Sequence, residues 1–442
     1  MLFQRIAALF AAVTVLLLAG QAQAIPAFAR RYETSCQTCH VAYPKLTPFG
    51  EAFRRNAYRF PGGGDATAEK EEPLALGNDA MKDRFPAAVW PGQIARQLPL
   101  SMLIDGKLTY GPSPEGHVDG AAMAGMTEDA HGGGHAESAL ALGGLGGQIG
   151  LRAGGTLGDI GGYFGSVNIG GHEPIAVERA FAVLTPAGPT ALHMRVGRFE
   201  PELHGVSVHR GIFNHQLRLT TNTVQLNGFS PEMSSTGLEL SGVALGRAAW
   251  ALGVVETVPA GTSVRKNFYG RLEYKLGGMR LDGIDASAGA AAWSERSLQL
   301  GFSAWSGRSG LLAANGMPIH DDDFLRIGVD LHGTFDDLML DVVGVRQSHS
   351  QPTATAGTKM TMDMLFAELT YMVNAVVVPT IRFEGTSLDY GEGKPDQRYL
   401  TSLQGTWILR PNVLLRADVG VGADPGSHAE FRAVSAGFSA AF

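Results

Sequence analysis

Cys36-Gln37-Thr38-Cys39-His40 is the stretch of this chain whose residue types and spacing point most directly to a chemistry. Two thiols three positions apart, followed at once by an imidazole, form the C-x-x-C-H pattern of c-type haem attachment. The thiols stand where they can form thioethers to the two vinyl groups of one haem. The adjacent imidazole is then held under the iron, where histidine is a standard proximal ligand. A thiol-redox pair with a chance histidine would want a helix N-terminus after a βαβ-type strand, which a site this close to the start of the mature chain does not supply. A structural zinc would want two more soft ligands nearby, and the chain has only 2 cysteines. The expectation is one covalent haem c on Cys36 and Cys39, with His40 as the iron ligand.

The elements around the motif must hold that group. Pro44 and Pro48 break any long helix, and Phe49 to Asn56 can make a short one with Phe49 and Phe53 on one side as a wall for a haem edge. Arg30, Arg31, Arg54, Arg55 and Arg59 put positive charge near an anionic haem, with a propionate partner expected among them. The second axial position has no signature: Met81, Met102, Met123, Met126, His117, His131 and His135 are all available, and no spacing singles one out. The segment 25–97 is small for a core of its own. It is expected to lean on another surface, such as the mouth or lumen of the remaining chain.

The leader and composition say where this happens. Residues 1–24 read as a secretory signal, with Arg5 before the apolar run Ile6 to Leu18 and a small-residue cleavage site at Ala22-Gln23-Ala24. No later stretch is apolar enough for a spanning helix. The net charge is −7, from 35 Lys+Arg against 42 Asp+Glu, with no long basic run, so a nucleic-acid partner is not expected. Charged residues make up only 17% and glycines number 59 of 442, against about 25% and about 7% in soluble domains. Disorder is unlike a chain that is 45% hydrophobic. An unusual all-β protein or a membrane barrel remains.

From 98 to 442 the chain repeats about ten residues of alternating polarity and then a turn, as in Gly161 to Gly170, Val177 to Leu184 and Leu192 to Phe199. Ser297 to Trp305, Met362 to Met372 and Val413 to Val421 follow the same pattern. The rhythm predicts a mainly β chain, a transmembrane antiparallel β-barrel of about sixteen strands with a small N-terminal haem c segment. Arg179, Arg195, Glu273, Arg382, Glu384, Arg416 and Asp418 alternate so that they can face a polar lumen, while Tyr269, Trp305 and Trp407 near strand ends suit interface girdles or core packing. The stretch 111–136, rich in His, Met and Gly, reads as a long loop, either solvated or metal-binding. The run His320-Asp321-Asp322-Asp323 reads as a surface loop between strands whose carboxylates could attract cations. Ser207-Val208-His209 has no partner that sequence position can assign. No hydrolytic or dinucleotide motif stands in the required context, so an enzymatic activity is left open.

The signal peptide, Pro26-Ala27-Phe28-Ala29-Arg30, the Cys36–His40 motif and Pro44-x-Leu46-x-Pro48-x-Gly50, followed by a barrel, resemble the fused monohaem cytochrome–porins of the outer membrane, some of which oxidise iron. The N-terminal segment matches in motif, the barrel mainly in length and strand rhythm. The resemblance implies covalent haem on Cys36 and Cys39, His40 as proximal ligand, and a small domain inside or against the barrel. It also implies electron transfer across the outer membrane from an extracellular donor such as Fe(II) to a periplasmic cytochrome or other carrier. The alternative is a passive porin in outer-membrane lipid, its haem domain acting as a redox sensor or gate.

Overall fold

The computed structural model describes residues 26–61, 78–86, 99–110, 140–143, 148–157, 160–170, 175–186, 192–213, 219, 229, 234–257, 265–286, 293–312, 318–354, 357–391, 394–424 and 429–442. The expected leader, the loop 111–136 with His117, Met123, Met126, His131 and His135, and most of 62–97 lie outside these residues.

The N-terminal segment contains α1 (Ala27–Arg31), α2 (Cys36–Cys39), β1 (His40–Ala42), β2 (Lys45–Leu46), α3 (Pro48–Arg55) and α4 (Asn78–Arg84). The barrel strands follow: β3 (Leu100–Tyr110), β4 (Leu140–Gly143), β5 (Gln148–Thr156), β6 (Gly161–Gly170), β7 (Ile175–Leu184), β8 (His193–Phe199), β9 (Ser235–Ala244), β10 (Ala248–Thr257), β11 (Arg265–Gly277) and β12 (Glu295–Leu312). The wall continues through β13 (Pro318–Asp336), β14 (Leu338–His349), β15 (Met360–Tyr371), β16 (Val377–Asp389), β17 (Asp396–Arg410), β18 (Val413–Asp424) and β19 (Ala429–Ala441).

Period-two patterning decides the two faces of this wall. On β15, Met360, Met362, Met364, Phe366, Glu368 and Thr370 are buried, whereas Leu365, Leu369 and Tyr371 are exposed. The outer surface carries many large apolar side chains, with Leu252, Phe268, Leu272, Leu300, Phe302, Val329 and Leu403 all exposed. Such side chains suit hydrocarbon, and the buried charges lie on the opposite face. Strands pair antiparallel in sequence order and β19 returns to β3, closing the barrel. β4 and β5 share β3 as neighbour, one along Lys107–Tyr110 and the other along Leu100–Ile104, so together they fill one of 16 positions. Phe442 adds the last rung, its N–H and C=O bonding the C=O and N–H of Met102 at 2.7 and 2.8 Å. Closure leaves no unpaired edge, the condition for crossing a bilayer with strands. No described helix is long and apolar enough to cross one.

The two ends of the barrel differ. One carries the tight connections at Leu245–Arg247, Asp337 and Pro411–Asn412 and the longer 278–294, together with the start of β3 and the end of β19. At the other end β3 stops and β4 starts, and β8 stops and β9 starts, each pair separated by a long stretch of sequence.

The N-terminal segment sits inside the barrel at the tight-turn end, fastened to inward-facing groups. Lys45 Nζ donates to Asp341 (2.9 Å), Glu368 (2.7 Å) and Thr370 (3.0 Å). Arg55 pairs with Glu273 at 2.5 Å, Arg59 donates to Thr185, and Gln37 donates to the Ala375 carbonyl at 2.7 Å. Arg416 donates to the carbonyl of Tyr43. Backbones also meet: a Cβ on Gly162 would lie 2.0 Å from the Ala57 carbonyl oxygen. The segment therefore does lean on the lumen, as its size suggested. Beyond it the lumen holds an apolar cluster of Phe199, Leu203, Phe229, Tyr269, Trp305, Phe324, Met360, Met362, Met364 and Phe366.

One detail corrects the reading of the sequence. His320 to Asp323 is not a loop but part of β13, because each carboxylate finds a cross-strand partner: Asp321 with Arg265, Asp323 with Arg308, and Asp322 with buried His349. Of the two places open to Tyr269 and Trp305, the structure selects core packing: both point inward into the apolar cluster, while Phe268 and Trp407 face out.

Candidate functional site

The turn carrying the thiols is held by its own sequence neighbours. Thr47 caps α3, its hydroxyl accepting from Gly50 N–H at 3.1 Å and donating to the Thr38 carbonyl at 2.8 Å, while Pro48 takes the first helical position. Thr47 N–H also donates to the Cys39 carbonyl at 3.0 Å. The proline-spaced run is thus a strap tying α3 to α2. Gly50 lies against the strap so closely that a Cβ would stand 2.1 Å from the Cys39 carbonyl oxygen. A backbone atom cannot yield as a side chain can, so Gly50→Ala is expected to lower covalent haem per folded barrel several-fold. Haem staining normalised to heat-modifiable barrel on a gel measures this, and full haem content would contradict it.

Cys36, Cys39 and His40 all line one cavity of about 230 Å³. Two other lumenal cavities measure about 90 and 30 Å³. The thiols, at i and i+3 of a single turn, share a side. Phe28, Tyr32, Phe49, Phe53, Tyr58 and Phe60 form its apolar walls. Phe28 stacks on Tyr58 at 5.5 Å and Tyr58 on Phe164 of the barrel at 5.3 Å. Phe49 and Phe53 thus wall the cavity as their spacing predicted.

Burial pushes the Cys36 thiol up to about 11, and burial with the nearby Cys36 pushes Cys39 up to about 12. Their partial exposure is to the cavity itself. Such thiols are protonated near neutral pH and weakly nucleophilic. Haem supplied after the chain has folded is therefore expected to give no thioether, read as an unchanged protein mass. A covalent adduct formed by folded protein at pH 7 would refute this order of assembly. Burial lowers His40 to about 4, which keeps the imidazole neutral as metal binding requires. Its Nδ1 lies 3.2 Å from the Pro44 carbonyl. With that nitrogen donating, Nε2 is the one left for a metal.

The cationic groups fall differently from the expectation. Arg30 donates to the Leu100 carbonyl at 2.7 Å and Arg31 to Thr156 at 2.7 Å, and together with Arg55 and Arg59 they act as struts to the wall. Only Arg54 of the five lines the cavity, and it is held bidentate by Glu202 at 2.8 and 2.9 Å. Arg152, Arg179 and Arg210 of the barrel and its inward loop line it as well. Arg179 Nε is buried with no hydrogen-bond partner, and its guanidinium sits 4.8 Å over Phe164. A bulge directs it there: Ser166 opposes Arg179 and Val167 opposes Val177, leaving Glu178 as the extra residue. Two adjacent thiols, a neutral imidazole, aromatic walls and an underused buried guanidinium fit a planar, apolar, anionic haem. The signal for Arg179 in the sequence was its alternation alone, which marked the lumen but not this cavity.

Of the second-ligand candidates, Met102 lines the cavity, whereas Met81 packs away from it against Val41 and Met339. Ser207 and His209, unassigned in the sequence, both bond Glu200, at 2.5 and 3.0 Å. Among the described residues no group of three or more His, Cys, Asp or Glu is arranged to hold a metal ion.

Carboxylates at the plug–loop junction are held below their ordinary range. Burial opposes this at Glu202 and Glu51, and arginines led by Arg54 more than reverse it. A depressed folded-state value stabilises fully above the unfolded carboxylate range and is lost as pH falls through the folded value. The plug is therefore expected to stay docked from pH 7 to pH 5, with protease cleavage within 26–61 rising only below about pH 4. Cleavage that rises already at pH 6 would contradict this.

Among solved structures, the chain is similar to an anion-selective porin from Comamonas acidovorans, with a TM-score of 0.54 at 13% identity over 78% of this chain and 98% of that one. A loop-deletion mutant of the Vibrio cholerae outer membrane protein OmpT gives 0.52 at 10% identity over 78% and 98%. Salmonella typhi OmpF, in a complex with daunomycin, gives 0.50 at 11% identity over 78% and 97%. The fold is an outer-membrane porin-type β-barrel. At such identities the likeness carries the fold alone. No family model matches the sequence, and no curated protein matches it.

Proposed function

We propose that this porin-type barrel lies in the outer membrane, binds one covalent haem c at Cys36 and Cys39 with His40 as proximal ligand, and passes electrons between an extracellular donor and a periplasmic carrier. The observation that carries the reading is the convergence of both thiols and the neutral His40 imidazole on one aromatic-walled cavity inside the barrel. Bound there, a haem supplies one-electron Fe(III)/Fe(II) chemistry. The chain's own residues fix its position, wall it with six aromatic rings, and bring cationic Arg54, Arg152, Arg179 and Arg210 to the cavity. Outer-membrane barrels have short periplasmic turns and long outer loops, which supports a periplasmic position for the plug and its cavity. Pro411, Asn412 and Ala441 at the tight-turn rim line that cavity, so a periplasmic carrier could approach it closely.

The porin likeness on its own favours the other reading, a passive channel whose haem segment acts as sensor or gate, and it supports that reading more directly than electron transfer. Against free passage stand the fastened plug and the apolar cluster in the lumen. Liposomes containing cytochrome c as oxidant, with Fe²⁺ or a small reductant confined outside, separate the two. Electron transfer predicts haem-dependent reduction of the trapped cytochrome. A channel predicts solute leakage or conductance without it. Flow from a small reductant but not from Fe²⁺ would retain the conduit and remove the iron-oxidase version.

A further inference from the structure

We propose that His209, on the inward loop of the barrel, is the second axial ligand of the haem iron, with Glu200 as its positioning residue. The inference rests on the haem reading above and names a residue toward it that no sequence spacing indicates.

His209 belongs to the short 3₁₀ turn Val208–Arg210 within the connection that follows β8. That connection folds into the lumen and docks on the plug through Glu202 to Arg54 at 2.8 Å and Arg210 to Glu51 at 3.2 Å. The side chain of His209 is 3% exposed and lines the cavity that Cys36, Cys39 and His40 line. Its Nδ1 lies 3.0 Å from Glu200 Oε2, and its backbone N–H donates to Ser207 Oγ, which itself donates to Glu200.

With Nδ1–H given to that carboxylate, the tautomer leaves a lone pair on Nε2, the arrangement in which metal-bound histidines are held. Nε2 is buried, with Glu178 Oε1 3.5 Å away. Because the ring lines the same cavity as the proximal His40, Nε2 is the nitrogen we assign to the iron. Met102 is the competing ligand on that cavity, through its thioether.

Purified protein in detergent, with haem attachment verified by staining, tests this by spectroscopy. The wild type is expected to be low-spin and six-coordinate, without the near-infrared charge-transfer band of methionine–ferric haem. His209→Ala should keep its haem and barrel, turn high-spin, and bind carbon monoxide readily when reduced. His209→Met should gain the methionine band and a higher reduction potential, as a Met/His pair does. Met102→Leu should leave the spectrum unchanged. Glu200→Gln should raise the potential while haem content stays constant, a shift that a merely structural role would not produce. A low-spin spectrum that survives His209→Ala, or is lost in Met102→Leu, would overturn the assignment while leaving the haem reading intact. A wild type that carries no haem would overturn both.

Discussion

Replacing Cys36 and Cys39 together by serine is expected to abolish covalent haem and, with it, electron flow into loaded liposomes, while the barrel still assembles. The expectation follows from the cavity: the thiols are the anchors of the proposed haem, and nothing in the barrel ladder depends on them. The loss should be complete for staining and at least tenfold for the rate. His40→Ala should differ, keeping the thioethers and changing the spectrum and rate, because only the coordination of the iron is altered. Stain that persists in the double serine variant would end the haem reading. Unchanged transmembrane electron flow without haem would end the conduit reading.

Lys45→Ala is expected to loosen the plug from the wall. Lys45 is buried between Asp341 and Glu368; burial alone would lower its pKa, and the two carboxylates more than reverse this. Removing one partner of a buried pair costs about 3–5 kcal/mol. Here His332 still bonds Asp341 and Arg382 still bonds Glu368 at 3.0 Å, so about 2–4 kcal/mol is expected. The measured consequence is protease cleavage within 26–61 rising by at least tenfold, with the barrel's heat-modifiable migration retained. Planar-bilayer conductance should rise with it if the plug is the main obstruction. Wild-type protein that already conducts as an open pore would instead support the channel reading. Cleavage indistinguishable from wild type would mean that the remaining fasteners, Arg54–Glu202 and Arg55–Glu273, hold the plug without Lys45.

Local patterns were legible wherever a residue's role depends on its near neighbours. The thiol spacing, the Phe49/Phe53 face and the strand alternation are of this kind, and each is visible again in the folded chain. The acidic run at 320–323 misled because a cluster of carboxylates reads as solvated until its partners are known. Arg265, Arg308 and His349 come from three other strands, brought alongside by register. Trp305 and Tyr269 were left open between girdle and core for a related reason: alternation says that two faces exist, but the parity of a single aromatic is set by pairing.

By itself the sequence determined the barrel, the thiol pair and its histidine, because period-two patterning and covalent spacing are properties of consecutive residues. Which cations face the cavity, where the plug sits, and which histidine joins it were decided by tertiary structure alone. Arg179 reaches the cavity through a bulge, and Lys45 meets carboxylates far along the chain. His209 arrives on a loop turned back into the lumen. Each of these depends on closing the sheet, which brings distant segments to one interior where buried charge must find a partner.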